Sequence, residues 1–330
     1  MTAAKHFLIG GGSGFIGRAL TRVLEARGER VTLISRFPGR NRMTWDDVKA
    51  NGLPACDVVI NLAGKHILDP RRRWTERYRE EIIRSRVETT RILVDAINAA
   101  PQPPPLFIST AGKCFYGSQA FRQSEQYFDL DERSSPIGID YPASLVSQWE
   151  AAADRVDSTR VRHVKLRLGI VLASDDEQRP PGRQHLGARG VFPLLAAAFR
   201  RGFCVRMGSG VQPFPWVHID DVVGIFLKAI DDQRLKGVFN AVSPGIVSNG
   251  TFTRLLARKL RRPVLGGIPA WLIKLIVGRD RSTILLLGQR IRPTRTLEYG
   301  YRFRFDDLDD CLDHLLLTAR EPLRSRALSP

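Results

Sequence analysis

The chain has 330 residues, about two domains' length, of which 43% are hydrophobic and 26% charged; that excludes disordered, collagenous and simple coiled-coil proteins. No apolar run approaches the ~20 residues of a membrane helix; candidates such as 271–277 and 284–287 are short and interrupted or flanked by polar residues. The net charge is +17, carried by 42 arginines and 9 lysines, which favours anionic partners: phosphate cofactors, anionic lipid, acidic proteins or RNA. The arginines are scattered along the chain rather than gathered in one stripe, and a codon bias toward arginine would give the same count.

Residues 6–10 read as a short apolar strand, followed by the glycine turn Gly10-Gly-Gly-Ser-Gly-Phe-Ile-Gly17. Apolar residues at Ile16, Ala19, Leu20, Val23 and Leu24 then mark one face of a helix, which Gly28 ends as a C′ glycine. Residues 30–35 are β-branched and apolar, like a buried parallel strand. A strand at 57–62, a long amphipathic helix at 74–99, a strand at 106–110, a helix at about 143–156 and a strand at 163–172 continue the alternation. Residues 111–140 and 173–190 read as long loops. Helices are expected near 191–201, 220–230, 249–261, 270–277, 281–290 and 306–318, with a strand at 237–242. The order predicts an α/β fold: a Rossmann-type doubly wound parallel sheet over 1–172, rejoined at about 216–242, and a smaller, mostly helical domain over 173–330.

The glycine turn has a chemical reading. Amides at a helix N-terminus attract a pyrophosphate, and a Cβ at Gly12 or Gly14 would block its approach. The spacings Gly12-x-Gly14-x-x-Gly17 and Gly11-x-x-Gly14-x-x-Gly17 coexist, after a strand and before a helix. Candidate cofactor residues are therefore Gly11, Gly12, Ser13, Gly14, Phe15, Ile16 and Gly17, with Leu62, Ala63 and Gly64 at the end of the strand 57–62. At the end of the strand 30–35, where an acid would hold the ribose 2′-hydroxyl of NAD, stand Ser35 and Arg36. A guanidinium there suits the 2′-phosphate of NADP(H), with Arg40 and Arg42 in support.

Cys56, Cys114, Cys204 and Cys311 have neither zinc nor redox spacing, so free thiols in a reducing compartment are expected. Periodic structure beginning at His6 leaves no room for a presequence of usual length.

Several segments together resemble a known group. They are the glycine turn, Val31-Thr-Leu-Ile-Ser-Arg36, Asn61-Leu-Ala-Gly64, Arg84-Ser-Arg-Val-Glu-Thr-Thr90, Trp149-Glu-Ala-Ala-Ala153 and Phe214-Pro-Trp-Val-His-Ile-Asp-Asp221. The group is the atypical extended short-chain dehydrogenase/reductases, in the branch named for sugar-nucleotide epimerases, which has a mitochondrial member in animals. The likeness continues through Gly288-Gln-Arg, Pro293 and Tyr299-Gly-Tyr301. It implies a Rossmann domain, NADP(H) and an oxidoreductase or epimerase role.

Active members of that superfamily use a Tyr-x-x-x-Lys pair, in which the lysine lowers the tyrosine pKa. Here Tyr141 is followed four residues on by Leu145, and counting back from Glu150 gives Pro142 and Val146. The superfamily's helper serine would fall on Gly112. Lys65-His66 and Lys113-Cys114 are further departures. The candidates left for proton transfer are Tyr141, Tyr116, Lys113 and His218. Lys113 with Tyr116 would be an improvised acid–base pair. His218 precedes a helix for which Asp220 reads as the N-cap, and it either faces the cleft or belongs to the cap network. The spacing of the histidines suggests no metal site.

Two readings follow. One is an NADP(H)-dependent oxidoreductase or epimerase-like enzyme. The other is a catalytically silent, nucleotide-binding accessory subunit of a larger mitochondrial assembly, respiratory complex I-like or ribosomal, with acidic protein partners. RNA is the weaker candidate partner, since no recognition module is present. The matrix stands ahead of the cytoplasm as the compartment.

Overall fold

The computed structural model describes residues 3–68, 72, 74–117, 128–136, 140–174 and 190–318. β1 (His6–Gly10) is buried along its whole length. Phe7 and Ile9 join one apolar core and Leu8 the opposite one, as alternation across a central strand requires. α1 (Phe15–Ala26) ends where Gly28 takes φ +81° and the Glu29 amide reaches back to the Leu24 carbonyl at 3.1 Å. β2 (Arg30–Ser35) completes the first βαβ unit.

β3 (Arg42–Thr44) and α2 (Trp45–Asn51) were not expected. Thr44 and Asp47 nonetheless form a reciprocal capping box, a signature written in four residues and easily passed over. β4 (Val58–Asn61) follows. The helix expected at 74–99 is α3 (Glu76–Ile83) and α4 (Thr89–Ala99), joined through a π-helical turn, Arg84–Glu88. β5 (Leu106–Gly112) extends past its expected end. β6 (Asp129–Leu130) and α5 (Tyr141–Ala153) come next, the helix starting at its Asp140 cap.

The strand expected at 163–172 is broken into β7 (Arg162–Leu168) and β8 (Ile170–Leu172). Gly169 allows the break: a Cβ there would lie 2.8 Å from the Pro215 carbonyl oxygen and 2.8 Å from Val242. The loop expected at 173–190 lies outside the described residues except at its ends. Beyond it come α6 (Val191–Arg200), β9 (Arg206–Met207), β10 (Pro213–Phe214), β11 (Trp216–His218) and α7 (Ile219–Asp231). β12 (Gly237–Ala241) then pairs with β7. The rest is β13 (Val247–Ser248), α8 (Asn249–Lys259), β14 (Gly267–Ile268), α9 (Ala270–Val277), α10 (Arg279–Leu286), β15 (Arg290–Ile291), α11 (Thr294–Glu298) and α12 (Leu308–Thr318). α10 stops short of its expected end because Leu287 is already extended, leading into β15.

Seven parallel strands form one sheet in the order β12-β7-β5-β4-β1-β2-β3. One face packs on α1 and α7, and the other on α2, α4 and α5. A further core, built on Phe192, Phe199, Trp216, Phe252 and Leu312, joins α6, α8 and α12. This is the Rossmann-type doubly wound sheet with a smaller, helical C-terminal region. No described helix is long and apolar enough to cross a membrane. All four cysteines are free thiols.

Candidate cofactor and active-site cleft

The first glycines divide their work. Gly11 has φ +75°, and a Cβ there would come within 2.7 Å of the Leu62 backbone, so the turn and the end of β4 touch. A Cβ on Gly17 would sit 2.5 Å from the Gly11 oxygen; its absence lets α1 pack on the turn. At Gly12 a Cβ would meet the end of the Leu33 side chain at 2.4 Å, so this glycine also makes room for β2. At Gly14 a Cβ would meet nothing nearer than the Gly11 oxygen at 3.0 Å.

Gly14 is the N-cap of α1, with no side-chain cap and no acid in the first turn. An N-terminus left that way is suited to an anion, because the helix dipole and the first amides both point outward there. Ser35 turns its hydroxyl onto the Phe37 carbonyl (2.6 Å), and Arg36 is exposed beside the Phe37 ring, 5.9 Å from its centroid. Arg40 is exposed in the loop that follows, and Arg42 is exposed at the start of β3.

Behind this crevice three of the resemblance-bearing segments meet in one hydrogen-bond knot. Asn61 Nδ2 donates to Thr90 Oγ1 (2.8 Å), while Asn61 Oδ1 accepts the Ala63 amide (3.0 Å) and so shapes the Leu62–Ala63–Gly64 bend. Thr90 Oγ1 donates to the Arg86 carbonyl (2.6 Å) and accepts the Trp149 indole N–H (3.0 Å). The π-helical turn makes this possible: it widens the helix, and the hydroxyls of Thr89 and Thr90 take up its carbonyls.

Arg86 is the residue that sequence reasoning missed, although it sits in a quoted motif. Its Nη2 donates to the Lys65 carbonyl (2.8 Å), and its guanidinium stands 5.4 Å over the Trp149 ring. A Cβ on Gly64 would lie 3.2 Å from it, so this glycine makes room for an arginine. Burial pushes the Arg86 pKa down to about 10, and Tyr141, Tyr78 and Cys114 are the groups that oppose the shift. Lys65 is engaged elsewhere, paired with Glu81 and lying over the Tyr78 ring.

The four proton-transfer candidates fare differently. Lys113, just past the end of β5, is buried with Nζ 3.3 Å from Gln289 Oε1, and it lines a small pocket with Cys114, Asp140, Pro142, Thr283 and Gln289. Tyr141 opens α5, its ring 5.0 Å from the Arg79 guanidinium and its phenol donating to the Arg79 carbonyl at 3.4 Å; burial raises its pKa. Tyr116 is fully buried, donates to Asn240 Oδ1 (2.8 Å) and accepts from Arg167 (3.1 Å). Burial pushes that phenol up to about 12. Among the described residues no hydrogen bond joins Lys113 to Tyr116.

His218, not Asp220, is the N-cap of α7: its Nδ1 accepts the Asp220 amide at 3.1 Å. The ring is wholly buried against Phe305, and burial first, then His314 and Arg304, holds its pKa down at about 3. His218, Asp220 and His314 do converge within 4.8 Å, which spacing along the chain could not announce. Asp220 is also paired with Arg304 at 2.8 Å, and His218 Nδ1 is taken up by the cap.

The remaining motifs tie the two parts of the chain together. Asp221 accepts the Arg304 and Phe305 amides (2.7 and 3.0 Å) and the Tyr301 phenol (3.0 Å). Gly224 and Gly288 permit the approach, since a Cβ on either would stand 2.2 Å from Tyr301 or Pro213. Gln289 bridges Lys113 and the Gly117 carbonyl. Under the loop, Arg167 makes two bonds to Glu150 (2.7 and 3.0 Å) while its guanidinium lies 3.2 Å over Phe115.

Parallel seven-stranded sheet, glycine turn and uncapped helix together define a Rossmann nucleotide-binding protein. The NAD dependent epimerase/dehydratase family matches residues 7–241, and a domain of unknown function (DUF1731) matches 268–315. The chain belongs to the epimerase/dehydratase family. Human epimerase family protein SDR39U1 is 41% identical over 309 residues, covering 94% of this chain and 99% of its own. The chloroplastic SDR39U1 homolog of Arabidopsis thaliana is 29% identical over 317 residues, covering 92% and 84%. The crystal structure of human SDR39U1 (isoform2) with NADPH matches with a TM-score of 0.84 at 39% identity, covering 94% of this chain and 98% of that one.

Proposed function

We propose that this chain is an NADP(H)-binding oxidoreductase or epimerase-like protein of the extended short-chain dehydrogenase/reductase type. One observation carries the reading: the uncapped N-terminus of α1, behind Gly11, Gly14 and Gly17, with Arg36 exposed at the end of β2. The amides of Ser13, Phe15, Ile16 and their neighbours receive the pyrophosphate, Leu62, Ala63 and Gly64 line the crevice, and Arg36 takes the 2′-phosphate. The NADPH-bound human relative supports this choice over NAD.

When bound, the cofactor supplies hydride transfer; the chain supplies binding, orientation and charge. Arg86 brings a cation beneath Gly64, in the neighbourhood of Tyr141 and Cys114. The pocket lined by Lys113 opens beyond the C-terminal end of β5, where open α/β sheets hold their substrates. Lys113 is the candidate that reaches it, and Tyr141 opens the helix whose Pro142 also lines it.

A second reading, a silent nucleotide-binding subunit of a larger assembly, is favoured by the sealed surroundings of Tyr116 and His218. Screening NADPH oxidation by the purified chain against carbonyl compounds separates the two. Turnover abolished by Lys113→Ala or Tyr141→Phe supports the enzyme. Absence of turnover, with co-purification in a large complex, supports the silent subunit. Failure to bind NADPH at all would sink both. The four free thiols and the +17 charge support an intracellular reducing compartment, the mitochondrial matrix ahead of the cytoplasm.

A further inference from the structure

Six of the twelve large apolar side chains exposed among the described residues fall in two neighbouring places: Phe203, and the stretch holding Val264, Leu265, Trp271, Leu275 and Ile276. Phe203 (64% exposed) and Leu265 (62%) are brought side by side by the bond from the Leu265 amide to the Cys204 carbonyl, 2.9 Å. From there the chain passes through β14 into α9. That helix buries Ile273 and turns Trp271 (66%), Leu275 (75%) and Ile276 (66%) outward. Trp271 and Leu275 are four residues apart and so share one face. Monomeric proteins rarely leave such apolar clusters bare unless something covers them.

The segments that carry them hold charge of one sign, although Asp309 and Asp313 of α12 pair with Arg258 and Lys259. Residues 190–219 and 233–279 contain no aspartate or glutamate, and the second segment holds nine arginines and lysines. The arginines scatter along the chain, as the sequence reading had it, but the acids do not. Arg200, Arg201, Arg261, Arg262, Lys274 and Arg279 are all exposed in these stretches.

We propose that α9 and the loop before it form a peripheral docking surface for an anionic lipid bilayer. Tryptophan and leucine on one side of a short helix, with arginine and lysine beside them, are what an interfacial helix needs: apolar insertion plus attraction to acidic headgroups. A second copy of this chain would bring the same cations face to face in a two-fold contact, which the charge opposes. RNA offers bases for stacking but nothing for Leu275 and Ile276.

The test is co-sedimentation of the full chain with vesicles of phosphatidylcholine alone or mixed equally with phosphatidylglycerol. Binding to the mixed vesicles, weakened by salt, with brominated-lipid quenching that disappears in Trp271→Phe, supports the proposal. Leu275→Glu with Ile276→Glu should lower vesicle partition at least about tenfold while leaving the unfolding transition in place. Should that variant fail to fold, Arg261→Glu with Arg262→Glu is expected to lower binding as well. Absence of binding, equal binding to neutral vesicles, or binding that Leu275→Glu with Ile276→Glu leaves intact overturns it. So does equal binding to soluble polyglutamate, which would point to an acidic protein. A dimer in sedimentation that the glutamates abolish, with no vesicle binding, would assign the surface to a second copy.

Discussion

At the glycine turn the protein keeps an anion's place open. Three glycines hold β1, β4 and α1 close, the first helical turn has neither cap nor acid, and Arg36, the residue proposed for the 2′-phosphate, is exposed at the end of β2. Farther along the same C-terminal edge of the sheet, below the loop after β5, the polar groups are turned inward. Tyr116 is spent on Asn240 and Arg167, Arg167 on Glu150, and Ser109 on His163 at 2.8 Å. A site meant for a diffusible ligand leaves donors unsatisfied at its surface, whereas a scaffold satisfies them internally. The two regions fall on opposite sides of that line.

Glu150 offers the hardest blow to this contrast. Glu150 and Arg167 are almost wholly buried, and removing one partner strands the other's charge. Glu150→Ala should therefore cost about 3–5 kcal/mol of stability, read as a lower denaturant midpoint. NADPH affinity measured while the variant is still folded should stay unchanged. Lost turnover at unaltered stability would instead put Glu150 in the chemistry and erase the contrast.

Arg36→Asp probes the open end. A guanidinium–phosphate pair is a charge-assisted contact of about 1.5–3 kcal/mol, so NADPH affinity should fall about 10- to 100-fold. NADH, lacking that phosphate, should change far less. Equal losses in a fluorescence titration would show that Arg36 does not reach the 2′-phosphate.

The first βαβ unit was legible because its pattern is local: strand, glycines, helix and Arg36 lie within thirty-odd residues. Other parts could not be read in this way. The neighbours that need Gly11 and Gly12, Leu62 and Leu33, lie far from them in the chain. The role of Gly64 depends on Arg86, and the break at Gly169 on Pro215 and Val242. The motifs Asn61-Leu-Ala-Gly, Arg84–Thr90 and Trp149-Glu identify the family, yet their side chains spend themselves on one another. A pattern can be recognised in sequence well before its partner contacts can be assigned.

Acid should expose the sealed region before the open one. His163 and His218 are buried neutral, their pKa values pushed down to about 4 and about 3 from 6.5. The unfolded chain therefore takes up more protons below pH 6.5. Stability is whole above that value and drains as pH falls toward the folded pKa values. At pH 5 each histidine should have cost about 2 kcal/mol. His218→Asn keeps an acceptor for the Asp220 amide and should flatten the loss between pH 7 and pH 5; an unchanged slope would show that the imidazole is not held neutral.

Tyr116→Phe is the finest probe. It removes a hydroxyl that links Asn240 to Arg167 while leaving the ring in its apolar seat against Phe115. The remaining groups keep other partners: Asn240 Nδ2 still donates to the Arg292 carbonyl (2.9 Å), and Arg167 still holds Glu150. Stability should therefore drop by only about 1–2 kcal/mol. A phenol raised to about 12 by burial gives up its proton reluctantly, so any NADPH-dependent turnover should survive its loss. Turnover that vanishes in Tyr116→Phe with the unfolding midpoint intact would mean that the sealed loop opens to substrate, and that the division between scaffold and site runs elsewhere.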